Sequence, residues 1–202
     1  MIQEKIGIFG GTFSPPHLGH AAALESFLQE EKPDKMFVIP TGTPPHKILK
    51  GDATAEQRLA MCRLAFSFPG VTVHDIEIKR TGKSYTVDTL KQLTAQNRRL
   101  VLLCGTDMFL SLDTWYCAEM IFRLAEIVYV RRETDEDMTK RLSQKEEEYR
   151  RRFAAIVRPL TTGVVEISSS ELRERLATGK DTSAFLHPDV KRYIEKCSLY
   201  RN

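Results

Sequence analysis

His17 and His20 stand three residues apart, just after Gly10-Gly11-Thr12-Phe13-Ser14-Pro15-Pro16, and a short apolar run from Lys5 to Phe9 leads into that segment. Glycine lets a backbone turn tightly and approach a ligand with no Cβ in the way. The start of a following helix then offers unpaired N–H groups and the positive end of its dipole. Two imidazoles at this spacing near a helix start face the same side. Donors so placed suit a site where negative charge builds on a phosphate during its transfer. The segment reads as a triphosphate cradle, with Gly10, Gly11 and Thr12 along its wall. No metal site is expected, because no third His, Cys or carboxylate lies at an obvious ligand spacing.

Other segments carry complementary chemistry. Ser168-Ser169-Ser170-Glu171-Leu172-Arg173 opens a second helix whose hydroxyls and free N–H groups form another anion site. Arg173 lies four residues past Ser169 on the same face and can bind phosphate with two parallel hydrogen bonds. Pro44-Pro45-His46-Lys47 makes a proline-stiffened loop that delivers a basic side chain. Gly105-Thr106-Asp107 follows the apolar run Leu100 to Cys104. A carboxylate at such a strand end accepts ribose hydroxyls, or else Asp107 caps a helix over Met108 to Leu112.

Five blocks, taken in order, resemble one family: Gly10-Gly11-Thr12-Phe13-Ser14-Pro15-Pro16-His17-Leu18-Gly19-His20; Pro40 to Lys47; Ser84-Tyr85-Thr86-Val87-Asp88-Thr89-Leu90; Gly105-Thr106-Asp107 with Trp115; and Ile167 to Arg173. They are similar to the nucleotidyltransferase superfamily with an HxGH motif, and within it to the bacterial nicotinate-nucleotide adenylyltransferases. One position departs: Ser14 stands where that family usually has an acidic residue, and a hydroxyl there is expected to cap a helix starting near Pro16.

The resemblance implies adenylyl transfer from ATP to nicotinate mononucleotide, giving nicotinate adenine dinucleotide (deamido-NAD) and pyrophosphate in NAD biosynthesis. The attack would be in line, with no covalent intermediate. It implies a catalytic role for His17, His20 and Arg173. It assigns Gly10, Gly11, Thr12, His17, His20, Gly105, Asp107, Ser168, Ser169 and Arg173 to ATP. His46, Lys47, Ser84, Tyr85, Thr86 and Trp115 would contact the mononucleotide. Trp115, the single tryptophan, lies among Asp113, Thr114 and Tyr116, and its indole can stack on a cationic pyridine ring. Thr86 precedes a helix expected to begin near Val87, where free N–H groups favour a carboxylate over an amide. Magnesium is expected to arrive with ATP and keep most of its waters, since no carboxylate cage is visible.

The elements that must position these groups alternate along the chain. Strand candidates are Lys5 to Phe9, Met36 to Ile39, Val71 to Val73, Leu100 to Cys104, Ile127 to Val130 and Val164 to Ile167. Helices are marked by capping boxes at Thr54 with Gln57 and Ser168 with Glu171. This alternation predicts an α/β fold with a doubly wound parallel sheet, in one domain over residues 1–202, and the resemblance implies that it is the Rossmann-like nucleotidyltransferase fold. Its ligand site should lie where the strand order reverses. The charged stretch from Arg131 to Arg152 reads as a solvated helix that buries little beyond Leu142 and Tyr149.

The chain has 202 residues, 42% of them hydrophobic and 28% charged, with a net charge of +3. That length supports a real core, and the mild positive charge suits a polyanionic small molecule better than nucleic acid. The four cysteines are far apart and read as reduced thiols. No leader or membrane-spanning run is visible, so a cytoplasmic protein is expected, and a homo-oligomer stays open. Enzymes of the same superfamily acting on phosphopantetheine or nicotinamide mononucleotide are the near alternatives. A noncatalytic nucleotide sensor is the distant one, and a class I aminoacyl-tRNA synthetase fragment is disfavoured by the absence of a KMSKS-like loop.

Overall fold

A computed structural model of the chain describes residues 3–45, 53–131, 136–161 and 167–201. Six parallel strands form one sheet: β1 (Glu4–Gly11), β2 (Lys35–Pro40), β3 (Val71–Val73), β4 (Arg98–Cys104), β5 (Ala125–Arg131) and β6 (Val157–Thr161), in the order β3-β2-β1-β4-β5-β6. The winding runs outward from β1 to β2 and β3, then returns to β4 on the other side. The crevice at the carboxyl ends of β1 and β4 is therefore the switch point of a Rossmann-like fold.

Helices cover both faces. α1 (Leu18–Glu31), α2 (Ala55–Ala65), α3 (Ile76–Lys79), α4 (Thr86–Leu93), α5 (Thr106–Ser111), α6 (Ala118–Leu124), α7 (Glu136–Phe153), α8 (Ser169–Ala177) and α9 (Pro188–Lys196) complete the described elements, with one 3-10 turn over Leu112–Thr114. Side chains alternate across the strands into two cores. Phe9, Met36, Val38, Val101, Leu103 and Val128 pack with α1, α2, α8 and α9 on one face. Ile6, Ile8, Ile39, Leu100, Leu102 and Ile127 pack with α4 to α7 on the other. At Gly7 an added Cβ would come within 2.4 Å of Met36 Sδ and 2.7 Å of Phe27, so glycine there lets α1 seat against the sheet.

Several sequence expectations shift. The last described strand is Val157–Thr161; of the expected strand Val164 to Ile167, Val164 to Glu166 lie outside the described residues, and Ile167 is buried outside any strand. Pro159 and Arg158 hid β6, and both are tolerated because β6 pairs only with β5 at the sheet edge. α1 begins at Leu18 with His17 as its N-cap, so Ser14 caps nothing; it is buried, and its hydroxyl bonds that of Tyr200 at 3.0 Å. α5 begins at Thr106 with Gly105 as its cap, which places Asp107 inside the first turn instead of at the cap. The Thr54 and Ser168 caps form as read, with Gln57 N–H on Thr54 Oγ1 at 3.2 Å and Glu171 N–H on Ser168 Oγ at 3.1 Å. α7 buries Leu142 and Tyr149 and turns most of its charged positions outward, but Glu146 faces inward to accept the Tyr129 hydroxyl at 2.6 Å and Lys145 reaches Asp113 at 3.0 Å. The four cysteines are free, and no helix among the described residues is long and apolar enough to cross a membrane.

An ion-pair cluster pins the end of α1 to the central strand β1 and the edge strand β6. Glu31 receives Lys5 Nζ at 2.6 Å and Arg158 Nη2 at 2.7 Å, and these partners, Arg158 foremost, hold its carboxyl down to about 2. A folded-state value below the unfolded one makes this contribution complete above the ordinary carboxylate range and lost as pH falls through about 2. Glu31→Gln is expected to lower Tm at pH 7 by about 2–4 °C, the shift that roughly 1 kcal/mol produces in a chain of this size, and to flatten the loss of stability below about pH 4.5. Thermal melts of both proteins across that range check it.

Candidate functional site

β1 delivers Gly10 and Gly11 to the crevice as its last two residues, paired with Ile39 and Pro40 of β2. They do not make the tight turn; the chain turns at Phe13, whose φ is 48°. What glycine supplies at Gly10 is space, since a Cβ built there meets nothing within 4 Å. Thr12 follows. The three residues form the wall shared by two cavities, with Met108 also lining both.

The first cavity, about 380 Å³, gathers His17, His20, Gly105, Thr106, Asp107, Ser168, Ser169, Ser170 and Arg173 around that wall. The rings of His17 and His20 lie 3.6 Å apart, centre to centre, tilted by 34°. His17 N–H donates to His20 Nδ1 at 3.3 Å, which leaves the proton of a neutral His20 on Nε2. The ring of His20 rests edge-on against Phe13 at 5.1 Å. The first turn of α1 therefore brings two imidazoles to the cavity, while its Leu18 N–H is committed to Phe185 O at 2.8 Å and its His20 N–H to His17 O at 2.9 Å.

α8 closes the other side. Ser169 Oγ donates to Pro15 O at 3.1 Å, and Arg173 Nη1 donates to Ser14 O at 2.8 Å while Nη2 reaches Ser170 Oγ at 3.1 Å. The guanidinium thus joins the serine turn to the histidine loop, although the two are about 150 residues apart in sequence. Asp107 is exposed on the cavity wall, whereas Thr106 turns its hydroxyl away to Val130 O at 2.7 Å.

The second cavity, about 320 Å³, is lined by Thr41, Pro44, Pro45, Glu77, Ser84, Tyr85, Thr86, Thr89, Leu90, Trp115 and Tyr116 among others. Trp115 is half-buried, and the Tyr85 and Tyr116 rings meet at 4.6 Å. Tyr85 is the N-cap of α4 and Thr86 its first residue, so the free N–H groups of that turn lie beside the cavity. Ser84 is buried and has a local duty: its Oγ accepts Gly42 N–H at 3.1 Å. His46 and Lys47 lie outside the described residues.

Arg58 and Glu77 went unread in the sequence. Arg58 is 1% exposed and donates to Thr12 O at 2.8 Å and Gly42 O at 2.9 Å, joining the loops after β1 and β2. Its signal was available, since Arg58, Met61, Cys62 and Ala65 follow the helical repeat of the buried face of α2. Glu77 is 7% exposed, and its Oε1 accepts Thr89 Oγ1 at 2.7 Å. Burial pushes its carboxyl above the ordinary range. A carboxylate in a four-residue helix gave no periodic pattern to expose it.

Fold and crevice define a nucleotidyltransferase of the cytidylyltransferase-like class, whose family model matches residues 8–175. A protein of Thermoanaerobacter sp. (strain X514) named "Probable nicotinate-nucleotide adenylyltransferase" is 33% identical over 98% of this chain and 95% of its own. One of the same name from Gloeobacter violaceus is 36% identical over 98% and 96%. The solved structure of Plasmodium falciparum nicotinic acid mononucleotide adenylyltransferase complexed with NaAD superposes with a TM-score of 0.77 at 20% identity, covering 98% of this chain and 97% of that one. The chain belongs to the nicotinate-nucleotide adenylyltransferase family.

Because a Cβ at Gly10 enters open space at an ordinary φ, Gly10→Leu should fill the shared wall without disturbing the sheet. Calorimetric affinity for ATP is expected to fall at least about tenfold, while Tm stays within about 3 °C.

Proposed function

We propose that the chain transfers the adenylyl group of ATP to nicotinate mononucleotide, forming nicotinate adenine dinucleotide and releasing pyrophosphate in NAD biosynthesis. The observation that carries this reading is the common wall Gly10-Gly11-Thr12, where a cavity of phosphate-binding character meets one of aromatic character. Two substrates bound on either side of that wall bring a mononucleotide phosphate oxygen up to the α-phosphorus of ATP. Such a reaction needs no protein nucleophile. Positioning and neutralisation of developing charge supply the rate.

The roles follow from placement. His17, His20 and the first turn of α1 meet the ATP phosphates from one side, and Ser168, Ser169 and Arg173 from the other. Arg173 already donates to Ser14 O in the loop and to Ser170 Oγ in its own helix, and a phosphate oxygen would compete for those N–H groups with more charge. Asp107 and Gly105 face the nucleoside. In the second cavity Trp115 stacks on the pyridine ring, Tyr85 flanks it, Ser84 shapes the loop, and the α4 turn at Thr86 receives the nicotinate carboxylate. His46 and Lys47 are assigned to the mononucleotide by resemblance.

Magnesium on the ATP phosphates would neutralise charge there. Asp107 is the one carboxylate on the first cavity's described wall, beside the hydroxyls of Thr12 and Ser168, and that donor set fits an ion that keeps most of its waters. A cytoplasmic enzyme of one domain, built around its single sheet, goes with this reading. The aromatic lining favours a pyridine nucleotide over phosphopantetheine, and the α4 N-terminus favours nicotinate over nicotinamide.

Pyrophosphate release scored over a substrate panel tests the proposal. Nicotinate mononucleotide should exceed nicotinamide mononucleotide by at least about tenfold in kcat/KM, and tight ATP binding without turnover would instead make the protein a sensor. Trp115→Ala is expected to raise KM for the pyridine nucleotide about tenfold and leave KM for ATP within about twofold. His20→Ala should lower kcat about 100-fold with ATP affinity near normal, because its contact strengthens as charge develops. An unchanged kcat would make His20 structural.

A further inference from the structure

We propose that Glu77 is a specificity-determining residue, whose carboxylate makes the second cavity select a quaternised, cationic ring over a neutral ring of the same shape. The inference rests on the reading of that cavity as the pyridine nucleotide site. Among the described residues lining it, Glu77 alone carries a charged side chain. Its surroundings are otherwise aromatic, aliphatic or hydroxylic: Trp115, Tyr85, Tyr116, Leu90, Ser84 and Thr89. A flat apolar slot with one anion in its wall matches a flat cation.

The carboxylate is held at that wall by a relay. Arg80 Nη2 donates to Thr89 Oγ1 at 2.6 Å, and Thr89 Oγ1 in turn donates to Glu77 Oε1 at 2.7 Å. The guanidinium N–H thus fixes the Thr89 hydroxyl so that its proton points at the acid. Thr89 lines the cavity together with Glu77, so the group it holds borders the ligand space instead of the apolar core.

The nearby cations stand back. Arg80 reaches Glu77 only through Thr89, and Arg58 of α2 is committed to the Thr12 and Gly42 carbonyls. A bound pyridinium would add positive charge beside the buried carboxylate, whereas a neutral ring would only cover it. Burial and the pull of Arg80 and Arg58 act in opposite senses on its titration, and burial prevails, so protonation sets in at milder acid than for an exposed glutamate.

The test compares calorimetric affinity for nicotinate mononucleotide with that for its C-riboside analogue, in which a benzene ring carrying the same carboxylate replaces the pyridinium. Phosphate and carboxylate are common to both, so their ratio isolates the ring charge. The wild type should prefer the pyridinium at least about tenfold, and Glu77→Gln should cut the preference at least about fivefold with ATP affinity within about twofold. In the wild type the same preference should shrink as pH is lowered and Glu77 protonates, a readout that decides the matter even if the variant fails to fold. A preference unchanged in Glu77→Gln, or constant with pH, overturns the inference and leaves the proposed reaction standing. Failure of the wild type to bind nicotinate mononucleotide at all overturns both.

Discussion

Arg58 carries a guanidinium into a helix face that is otherwise built from Met61, Cys62 and Ala65, and it is held there by donating to the carbonyls of Thr12 and Gly42. A buried charge is tolerable only where its N–H groups find fixed acceptors, and each such bond is worth roughly 1.5–3 kcal/mol. Here both acceptors belong to loops at the carboxyl rim of the sheet. Thr12 borders both cavities, and Gly42 passes the constraint on through its own N–H to Ser84. The loops after β1 and β2 and the turn before α4 are thus tied into one polar unit. Gly42 must be glycine for that unit to close, since a Cβ would lie 2.3 Å from the carbonyl oxygen of Glu77.

The phosphate side is locked by an independent set of contacts. Arg173 and Ser169 bring α8 onto the carbonyls of Ser14 and Pro15, and Tyr200 reaches back to the hydroxyl of Ser14. Chain ends far apart in sequence therefore shape one loop. The serine that departs from the family pattern fits this neutral niche: it is 2% exposed and bonded to another hydroxyl, where a carboxylate would have to give up its water. The contacts that close α8 over the first cavity are thus distinct from those around the second, and among the described residues the Gly10 to Thr12 wall and Met108 belong to both.

Residues whose type and spacing imply chemistry were easiest to read. The histidine pair, the serine turn with Arg173, and Asp107 are brought to the crevice because each opens a helix that a parallel sheet must aim at one rim, and Trp115 reaches it from the end of the 3-10 turn after α5. Five strands and the Thr54 and Ser168 caps followed from local patterns as well. What escaped was context. β6 carries a proline and an arginine that look wrong for a strand until its edge position and the Glu31 and Glu126 partners of Arg158 are seen. Ser14 and Asp107 resemble caps by type, yet neighbours just along the chain, His17 and Gly105, occupy the cap positions. Arg58 and Glu77 have the ordinary look of surface charges.

The sequence by itself determined the alternation of strands and helices, the glycine and histidine chemistry of the first helix start, and the family resemblance, because these depend on periodicity and on residue type over short spans. Tertiary structure alone decided that two cavities share a three-residue wall, that a buried arginine sets their spacing, and that a glutamate borders the aromatic slot. Those outcomes depend on which carbonyls, hydroxyls and ring faces meet across the sheet. Desolvation and hydrogen-bond geometry are properties of the assembled rim, and no local run of residues encodes them.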